Sequence, residues 1–389
     1  MDTATAPLAG LAERARRVLP GGNTRTTLFV PPHPPYAERG EGYELVDAEG
    51  HRLVDLHGNY TALVHGHAHP AIVACATEAV RRGSAFGLPT EAEIALAETL
   101  AERVGVVERV RFTSSGTEAV MMAVRAARAA TGRAALLRFR GSYHGTYDAV
   151  VEEPADGVPA SVHDDVLSVP AGDEAAFLAA LEGRGGELAC VLLDLMPHRD
   201  GLREVSPGFA RLVREETAKR GIVLVVDEVV TFRLAAGGLQ EDYGIGADLV
   251  AFGKVIGGGF PVGAFGGRAE IMDLFDPSRD GAVPHGGTFS ANPVSMRAGQ
   301  AALELLDEDE IARIAGLGER LRGNLADLGL EVRGRGSLLY LDGLAGAPER
   351  WWRLYEAGLL VTPSGLAAVS TPMDEAAIDE AAARVEAAL

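Results

Sequence analysis

The sequence has little of what marks several special classes of protein. Its 389 residues include two cysteines, Cys75 and Cys190, whose positions offer neither a disulfide framework nor a metal site. We expect both thiols to be buried as small apolar groups. No apolar run is long enough for a secretory signal or a membrane span, and no lysine and arginine cluster could neutralise the phosphates of a nucleic acid.

The charge and composition of the chain point to a folded protein. Acidic residues exceed basic ones by 55 to 36, and this net charge of -19 disfavours nucleic acids and anionic membranes as partners. The chain is 47% hydrophobic and has no polar low-complexity tract, so we predict a globular protein. We expect it to be cytoplasmic, with a large domain and a smaller companion.

The pattern of apolar residues divides the chain into three segments. Residues 1–60 contain short strand-like runs and turns, and we predict that they contribute to a small domain. In residues 61–295, helical runs alternate with short apolar runs such as IVLVV, which indicates a large α/β domain whose parallel strands are covered by helices. Residues 296–389 read as the remainder of a small α+β domain.

A possible anion site lies at a helix start. Open parallel sheets place their ligands at the carboxyl ends of strands and at the helix N-termini that follow. In TSSGTEA, residues 113–119, Ser115, Gly116 and Thr117 offer N–H groups and hydroxyls to a phosphate. An ordinary helix cap is an equally good interpretation of this motif taken alone.

Two charged residues end neighbouring apolar strands. Asp227 follows GIVLVV, where a carboxylate could cap a helix or pair with a protonated ring nitrogen. Lys254 ends ADLVAFGK, an apolar context that is unusual for lysine. Its desolvated amine could form a Schiff base and then carry a proton, or the side chain could reach solvent at the end of the sheet.

Two further motifs allow more than one interpretation. GSYHG, residues 141–145, follows the apolar run AALLRF, and Tyr143 could stack on a flat ligand or belong to the core. Histidines alternate at positions 65, 67 and 69 of VHGHAHP. Because no cluster of cysteine, aspartate or glutamate accompanies them, we predict no metal site there.

The motifs SSGTEA, SYHG, VVDEV and AFGKVIGGGFPVGAFGG, in this order and spacing, resemble the class III pyridoxal-phosphate aminotransferases. The similarity is greatest to the branch of glutamate-1-semialdehyde aminomutase and extends from about Pro20 to about Gly299. It implies fold type I, with a mostly parallel seven-stranded sheet in the large domain. It also implies pyridoxal 5'-phosphate (PLP) as cofactor, a homodimer with shared active sites, and a ping-pong exchange of amino groups between an amino acid and a 2-oxo acid.

The resemblance also assigns roles to matching positions. Lys254 would be the Schiff-base lysine, Asp227 would face the pyridine nitrogen and Val229 would pack on the ring. Tyr143 would stack on the ring, and Thr288 would reach the phosphate of the neighbouring subunit. The remaining cofactor contacts are implied at Ser115, Gly116, Thr117 and His144.

Two segments bear on the substrate. PGGNTR, residues 20–25, lies where this branch binds a substrate carboxylate, and Arg25 offers a planar cationic fork, although a solvated surface arginine is the alternative. The segment resembles β-amino-acid aminotransferases of the β-phenylalanine type more than aminomutases. Asn59-Tyr60-Thr61 departs from the aminomutase pocket, so Tyr60 is a second predicted substrate contact.

The main hypothesis is therefore an aminotransferase for β-amino or aryl-bearing amino acids. Intramolecular amino transfer, as in an aminomutase, and racemisation stay open. An inactive cofactor-binding protein is a more remote alternative.

Overall fold

Strands and helices alternate over most of the chain in the computed structural model, which describes residues 8–152 and 155–389. The strands are β1 (Ala37–Glu41), β2 (Glu44–Asp47), β3 (Arg52–Asp55), β4 (Arg109–Thr113), β5 (Ala135–Phe139), β6 (Val166–Val169), β7 (Leu188–Leu193), β8 (Val223–Asp227), β9 (Leu249–Gly253), β10 (Gly263–Gly267), β11 (Val332–Arg335), β12 (Leu338–Leu341), β13 (Leu359–Leu360) and β14 (Leu366–Ala368). The helices are α1 (Leu8–Val18), α2 (Gly58–Thr61), α3 (Pro70–Arg82), α4 (Glu91–Arg103), α5 (Gly116–Thr131), α6 (Glu174–Arg184), α7 (Pro207–Arg220), α8 (Leu239–Asp242), α9 (Ala269–Met272), α10 (Pro293–Leu305), α11 (Glu308–Asp327), α12 (Pro348–Glu356) and α13 (Glu375–Ala388).

A seven-stranded sheet forms the centre of the unit made by residues 71–311. Its strand order is β4-β10-β9-β8-β7-β5-β6. The four neighbouring pairs from β9 to β6 are parallel, whereas β10 is antiparallel to both β9 and β4. The predicted α/β fold with a mostly parallel seven-stranded sheet is confirmed.

Continuous burial explains why the central strands are apolar along their whole length. Every residue of β5, β7, β8 and β9 is buried. Helix α5 packs on this sheet with small residues, among them Ala119, Ala123 and Ala127. Each fully buried valine, such as Val225 in β8, stabilises the fold by about 1.5–3 kcal/mol.

Strand β10 was not predicted, because its sequence GAFGG has the low strand propensity of glycine. The glycines have a packing reason. A Cβ on Gly263 would overlap the carbonyl of Ser115, and a Cβ on Gly266 would overlap the carbonyl of Arg109. The missing side chain at Gly263 thus lets Ser115, the residue just before α5, lie against the sheet. Strand β6 was also missed.

The other unit combines the two ends of the chain, residues 1–70 and 312–389. It contains a sheet of order β1-β2-β3-β13, in which the C-terminal β13 pairs in parallel with the N-terminal β3, and a sheet of order β11-β12-β14. The units change over at 70/71 and 311/312, whereas the predicted domain boundaries are 60/61 and 295/296.

The two cysteines differ in burial. Cys190 is buried in β7, and burial raises the pKa of its thiol to about 12. The expectation for Cys75 was wrong, because it is half-buried at the rim of a small cluster around Ile72. Within residues 8–152 and 155–389, no helix has the length and apolar character needed to cross a bilayer.

Candidate functional site

Lys254 lies directly after β9, at the carboxyl end of the parallel strands. Burial lowers the pKa of its amine, while the nearby carboxylates of Asp227 and Asp194 oppose this effect. The backbone of Lys254 is left-handed, with a φ of 52°. That conformation costs a residue other than glycine about 1–2 kcal/mol, and such strain is concentrated at functional sites.

Asp227 ends β8, the strand next to β9, and is buried together with His144. The Nδ1 of His144 lies 2.7 Å from Oδ2 of Asp227, and the N–H of Val229 donates to Oδ1 at 3.0 Å. A carboxylate accepts hydrogen bonds, so Nδ1 of His144 is the donor. The sheet therefore brings Asp227, Lys254 and the loop of His144 together, as the positions of the motifs at strand ends predict.

Ser115 is the N-cap of α5, and its Oγ accepts a hydrogen bond from the N–H of Glu118 at 3.2 Å. The first turn of the helix carries Gly116 and Thr117, whose N–H groups belong to the end of the helix dipole that attracts anions. Oγ1 of Thr117 accepts from the N–H of Thr146 at 3.3 Å. The predicted phosphate-binding residues thus occupy one helix start.

Glycine keeps this region open at two positions. A Cβ on Gly116 would lie 3.0 Å from Val229, and a Cβ on Gly253 would lie 3.3 Å from the same side chain. A Cβ on Gly145 would overlap Thr117, so the loop that carries His144 can lie against the start of α5 only with glycine there. Val229 is half-buried between these elements.

Asp194 is a buried carboxyl that the sequence analysis did not single out. It follows β7, the strand paired with β8, and so stands at the same sheet edge as Asp227. Burial, and next the charge of Asp227, raises its pKa to about 7. The rule that located Asp227 and Lys254, a charged residue at the end of an apolar strand, applies equally to Asp194 in CVLLDLM.

His198 and Arg199 also went unnoticed, on the turn His198–Asp200 that follows β7. The rings of His198 and Tyr143 meet edge to face with centroids 5.5 Å apart, and the guanidinium of Arg199 lies 4.4 Å from the centre of the Tyr143 ring. Burial, and then the charge of Lys254, lowers the pKa of His198 to about 3. No motif in PHRDGL signals these contacts, because they depend on which loops adjoin β7.

Arg25 and Tyr60 lie in the unit formed by the two chain ends. Arg25 is exposed, donates to Oδ1 of Asn59 at 2.8 Å and lies 5.8 Å from the centre of the Tyr60 ring. Asn59, Tyr60 and Thr61 all have positive φ, from 49° to 68°, so α2 is a strained left-handed turn. This turn presents Asn59 and Tyr60 to Arg25.

The structure also shows the surroundings of three other residues that the sequence motifs contain. His67 contacts Asp55, with Nε2 2.7 Å from Oδ2, and His65 contacts Thr371, with Nδ1 3.1 Å from Oγ1. Thr288 is exposed on the stretch that leads to α10. Its predicted contact with a neighbouring subunit stays a prediction.

The sequence model of the family Aminotransferase class-III matches residues 30–389. The chain belongs to the class III aminotransferases. Among relatives, it is 43% identical to a glutamate-1-semialdehyde 2,1-aminomutase of Methanothermobacter thermautotrophicus over 328 residues, 82% of this chain and 78% of that protein.

Two solved structures of this family are similar over nearly the whole chain. An omega-transaminase from Sphaerobacter thermophilus is 43% identical with a TM-score of 0.93, covering 99% of this chain and 98% of that one. A β-phenylalanine aminotransferase from Variovorax paradoxus is 36% identical with a TM-score of 0.90, covering 97% and 92%.

As a class III aminotransferase, the protein is a PLP-dependent enzyme, and the residues at the sheet edge fit this cofactor. The helix start at Ser115 suits a phosphate, the Asp227 carboxyl suits a protonated pyridine nitrogen, and Lys254 suits an aldehyde. Within the described part of the chain, three buried polar atoms next to these groups have no hydrogen-bond partner. They are Oγ of Ser142, Nε2 of His144 and Nδ1 of His198.

Proposed function

We propose that this enzyme moves an amino group between a β-amino or aryl-bearing amino acid and a 2-oxo acid by a ping-pong mechanism. The observation that carries the proposal is the cluster of Lys254, Asp227 and His144 at the carboxyl edge of the parallel strands. When bound, PLP supplies an aldehyde that links to amines and a ring that takes up electrons. The similarity to an omega-transaminase and a β-phenylalanine aminotransferase supports the choice of substrate.

In this proposal, Lys254 would hold the cofactor through its amine and would also carry the proton of the substrate. Burial lowers the pKa of the amine, which raises the fraction of the neutral form that attacks carbonyls and accepts protons. Asp227 would pair with the pyridine nitrogen, and His144 orients that carboxylate through Nδ1. Tyr143 would stack on the ring and Val229 would pack on it.

The phosphate of the cofactor is assigned to Ser115, Gly116 and Thr117. Their position at the start of a 16-residue helix supports this, because the N–H groups of the first turn have no partner within the helix.

Arg25 and Tyr60 are proposed to bind the substrate carboxylate. The hydrogen bond to Oδ1 of Asn59 uses one of the five guanidinium donors of Arg25. A cavity of about 370 Å³ within the same unit has Arg25 and Asn59 in its wall, together with apolar groups of Leu28, Tyr36 and Trp351. A carboxylate joined to an aryl group matches this combination of a cation and apolar surface.

We also propose that the enzyme is a homodimer. Large apolar side chains are exposed at Phe86, Leu88 and Phe289, and Nδ2 of Asn292 donates to the carbonyl of Ser84 at 2.7 Å, which brings their two segments together. Monomeric proteins rarely expose such clusters of apolar groups, so a partner surface is expected here. In such a dimer, Thr288 would reach the phosphate site of the neighbouring subunit.

The chain itself simplifies the test of the proposed function, because Lys219 and Lys254 are its two lysines. Lys219 is exposed and paired with Glu216, so it is a matched control. Borohydride treatment of the PLP-loaded protein should fix the cofactor on Lys254. Lys254→Ala should abolish both the visible absorbance band and turnover, and Lys219→Ala should change neither. Turnover that persists in Lys254→Ala would refute the proposal.

Intramolecular amino transfer is a second candidate function. The observation that favours it is the 43% identity to a glutamate-1-semialdehyde 2,1-aminomutase. An aminotransferase needs a separate 2-oxo acid to complete its cycle, whereas an aminomutase or racemase does not. A panel of α- and β-amino acids, each assayed with and without pyruvate or 2-oxoglutarate, distinguishes these functions.

A further inference from the structure

The turn that follows β7 carries a histidine whose surroundings suit a bound ligand. We propose that His198 is a further cofactor-binding residue, which hydrogen-bonds PLP through its Nδ1 atom. This inference rests on the proposed placement of the cofactor against Lys254.

The position of His198 follows from the order of the strands. Strand β7 is paired with β8, and β8 with β9, so the chain that leaves β7 emerges beside Asp227 and Lys254. The ring of His198 meets Tyr143 edge to face, and the next residue, His144, contacts Asp227, so His198 lies against the loop that carries His144. None of the roles proposed above involves His198.

The chemistry of the ring indicates a ligand contact. Nδ1 of His198 is buried and has no hydrogen-bond partner among residues 8–152 and 155–389. A buried polar atom without a partner is unfavourable, so native structures usually satisfy it with protein, water or a ligand. Burial keeps the imidazole neutral, and a neutral imidazole offers one N–H donor and one acceptor.

The orientation of the ring is fixed before any ligand binds. The edge-to-face contact with Tyr143 holds one side of His198, and Arg199 covers the same tyrosine ring from 4.4 Å. Pro197 restricts the backbone just before the turn. Such preorganisation lowers the entropy lost when a hydrogen bond to the cofactor forms.

The test compares variants of His198 for their affinity for PLP. His198→Phe keeps an aromatic ring against Tyr143 but removes both nitrogens, whereas His198→Gln keeps a donor and an acceptor. His163, a half-buried histidine of the same unit that has no part in the proposed site, provides the control His163→Gln. The dissociation constant of PLP is measured by visible absorbance on titration of each apo-protein.

We expect PLP to bind about tenfold more weakly to His198→Phe and within about threefold of wild type to His198→Gln, as one hydrogen bond predicts. The control should bind like wild type. Equal affinity of wild type and His198→Phe would overturn the proposal. Thermal unfolding of each apo-protein shows whether a variant folds. If His198→Phe does not fold, the titration of that variant is replaced by ¹⁵N NMR of wild type and His198→Gln, both labelled at histidine.

In that spectrum, PLP must shift the Nδ1 resonance that wild type has and His198→Gln lacks, and an unshifted resonance would overturn the proposal. If the glutamine variant does not fold either, His198→Asn serves for the assignment. Failure of the proposed function has a different signature. It would appear as normal PLP affinity in wild type without amino transfer to any 2-oxo acid.

Discussion

Asp194 should make the stability of the apo-protein fall as the pH rises from about 4 to about 7. Its pKa is 3.8 in an ordinary environment and about 7 in the folded protein. At pH values below 3.8 the carboxyl is protonated in both states. Between the two values the unfolded chain releases the proton while the folded protein retains it, so rising pH favours the unfolded state.

The size of this effect follows from the two pKa values. They differ by about three, and each unit corresponds to about 1.4 kcal/mol, so Asp194 should reduce the free energy of unfolding by about 4 kcal/mol between pH 4 and pH 8. Asp194→Asn removes the titrating group but keeps its size and its oxygen acceptor for the N–H of Met196. The variant should therefore become more stable than wild type as the pH rises.

Urea unfolding of the apo-proteins at one protein concentration, from pH 4 to pH 8, measures this difference. The exposed Asp280 provides the control. The difference in free energy of unfolding between Asp280→Asn and wild type should not change with pH over this range. If the difference in free energy of unfolding between Asp194→Asn and wild type stayed constant over this range, Asp194 would not hold a proton in the folded protein, and the prediction would be refuted.

Three further predictions concern the phosphate site and the dimer. Ser115→Ala and Ser206→Ala each remove an N-cap and should each cost about 1 kcal/mol in urea unfolding, but only Ser115→Ala should weaken PLP binding in an absorbance titration. Gly145→Ala should lose about 1–3 kcal/mol more stability than Gly172→Ala, because both glycines have positive φ but only the first Cβ meets Thr117; equal losses would contradict this. If the proposed homodimer forms, Phe289→Glu should shift the protein toward the monomer in sedimentation velocity, and an unchanged association state would exclude Phe289 from the proposed interface.

Local sequence patterns were sufficient for much of the fold and part of the site. Residues in β8 and β9 are buried on both faces, so their apolar runs identify them without knowledge of their neighbours. The ends of those runs locate Asp227 and Lys254, and a serine before a helical run locates the start of α5. The assigned roles of these residues stay predictions, which the variants above test.

Other features could not be predicted because they depend on contacts between distant parts of the chain. The glycine-rich sequence of β10 is typical of a loop. Its glycine at position 263 is explained only by the close approach of Ser115, which is distant in sequence. The left-handed turn at Asn59 and Tyr60 contradicts the preference of L-residues for negative φ. Cys75 sits in an apolar helix, yet its position at the rim of a cluster leaves it half-buried.

The sequence by itself determined the class of this protein, because apolar runs, helix-capping residues and the order of motifs are local properties. It identified the parallel sheet, the family and the need for PLP, and it singled out Lys254. The tertiary structure alone decided what surrounds that lysine. The pairing of β7 with β8 brings Asp194 and His198 to the same edge, and the proximity of strands distant in sequence is a property of the folded chain.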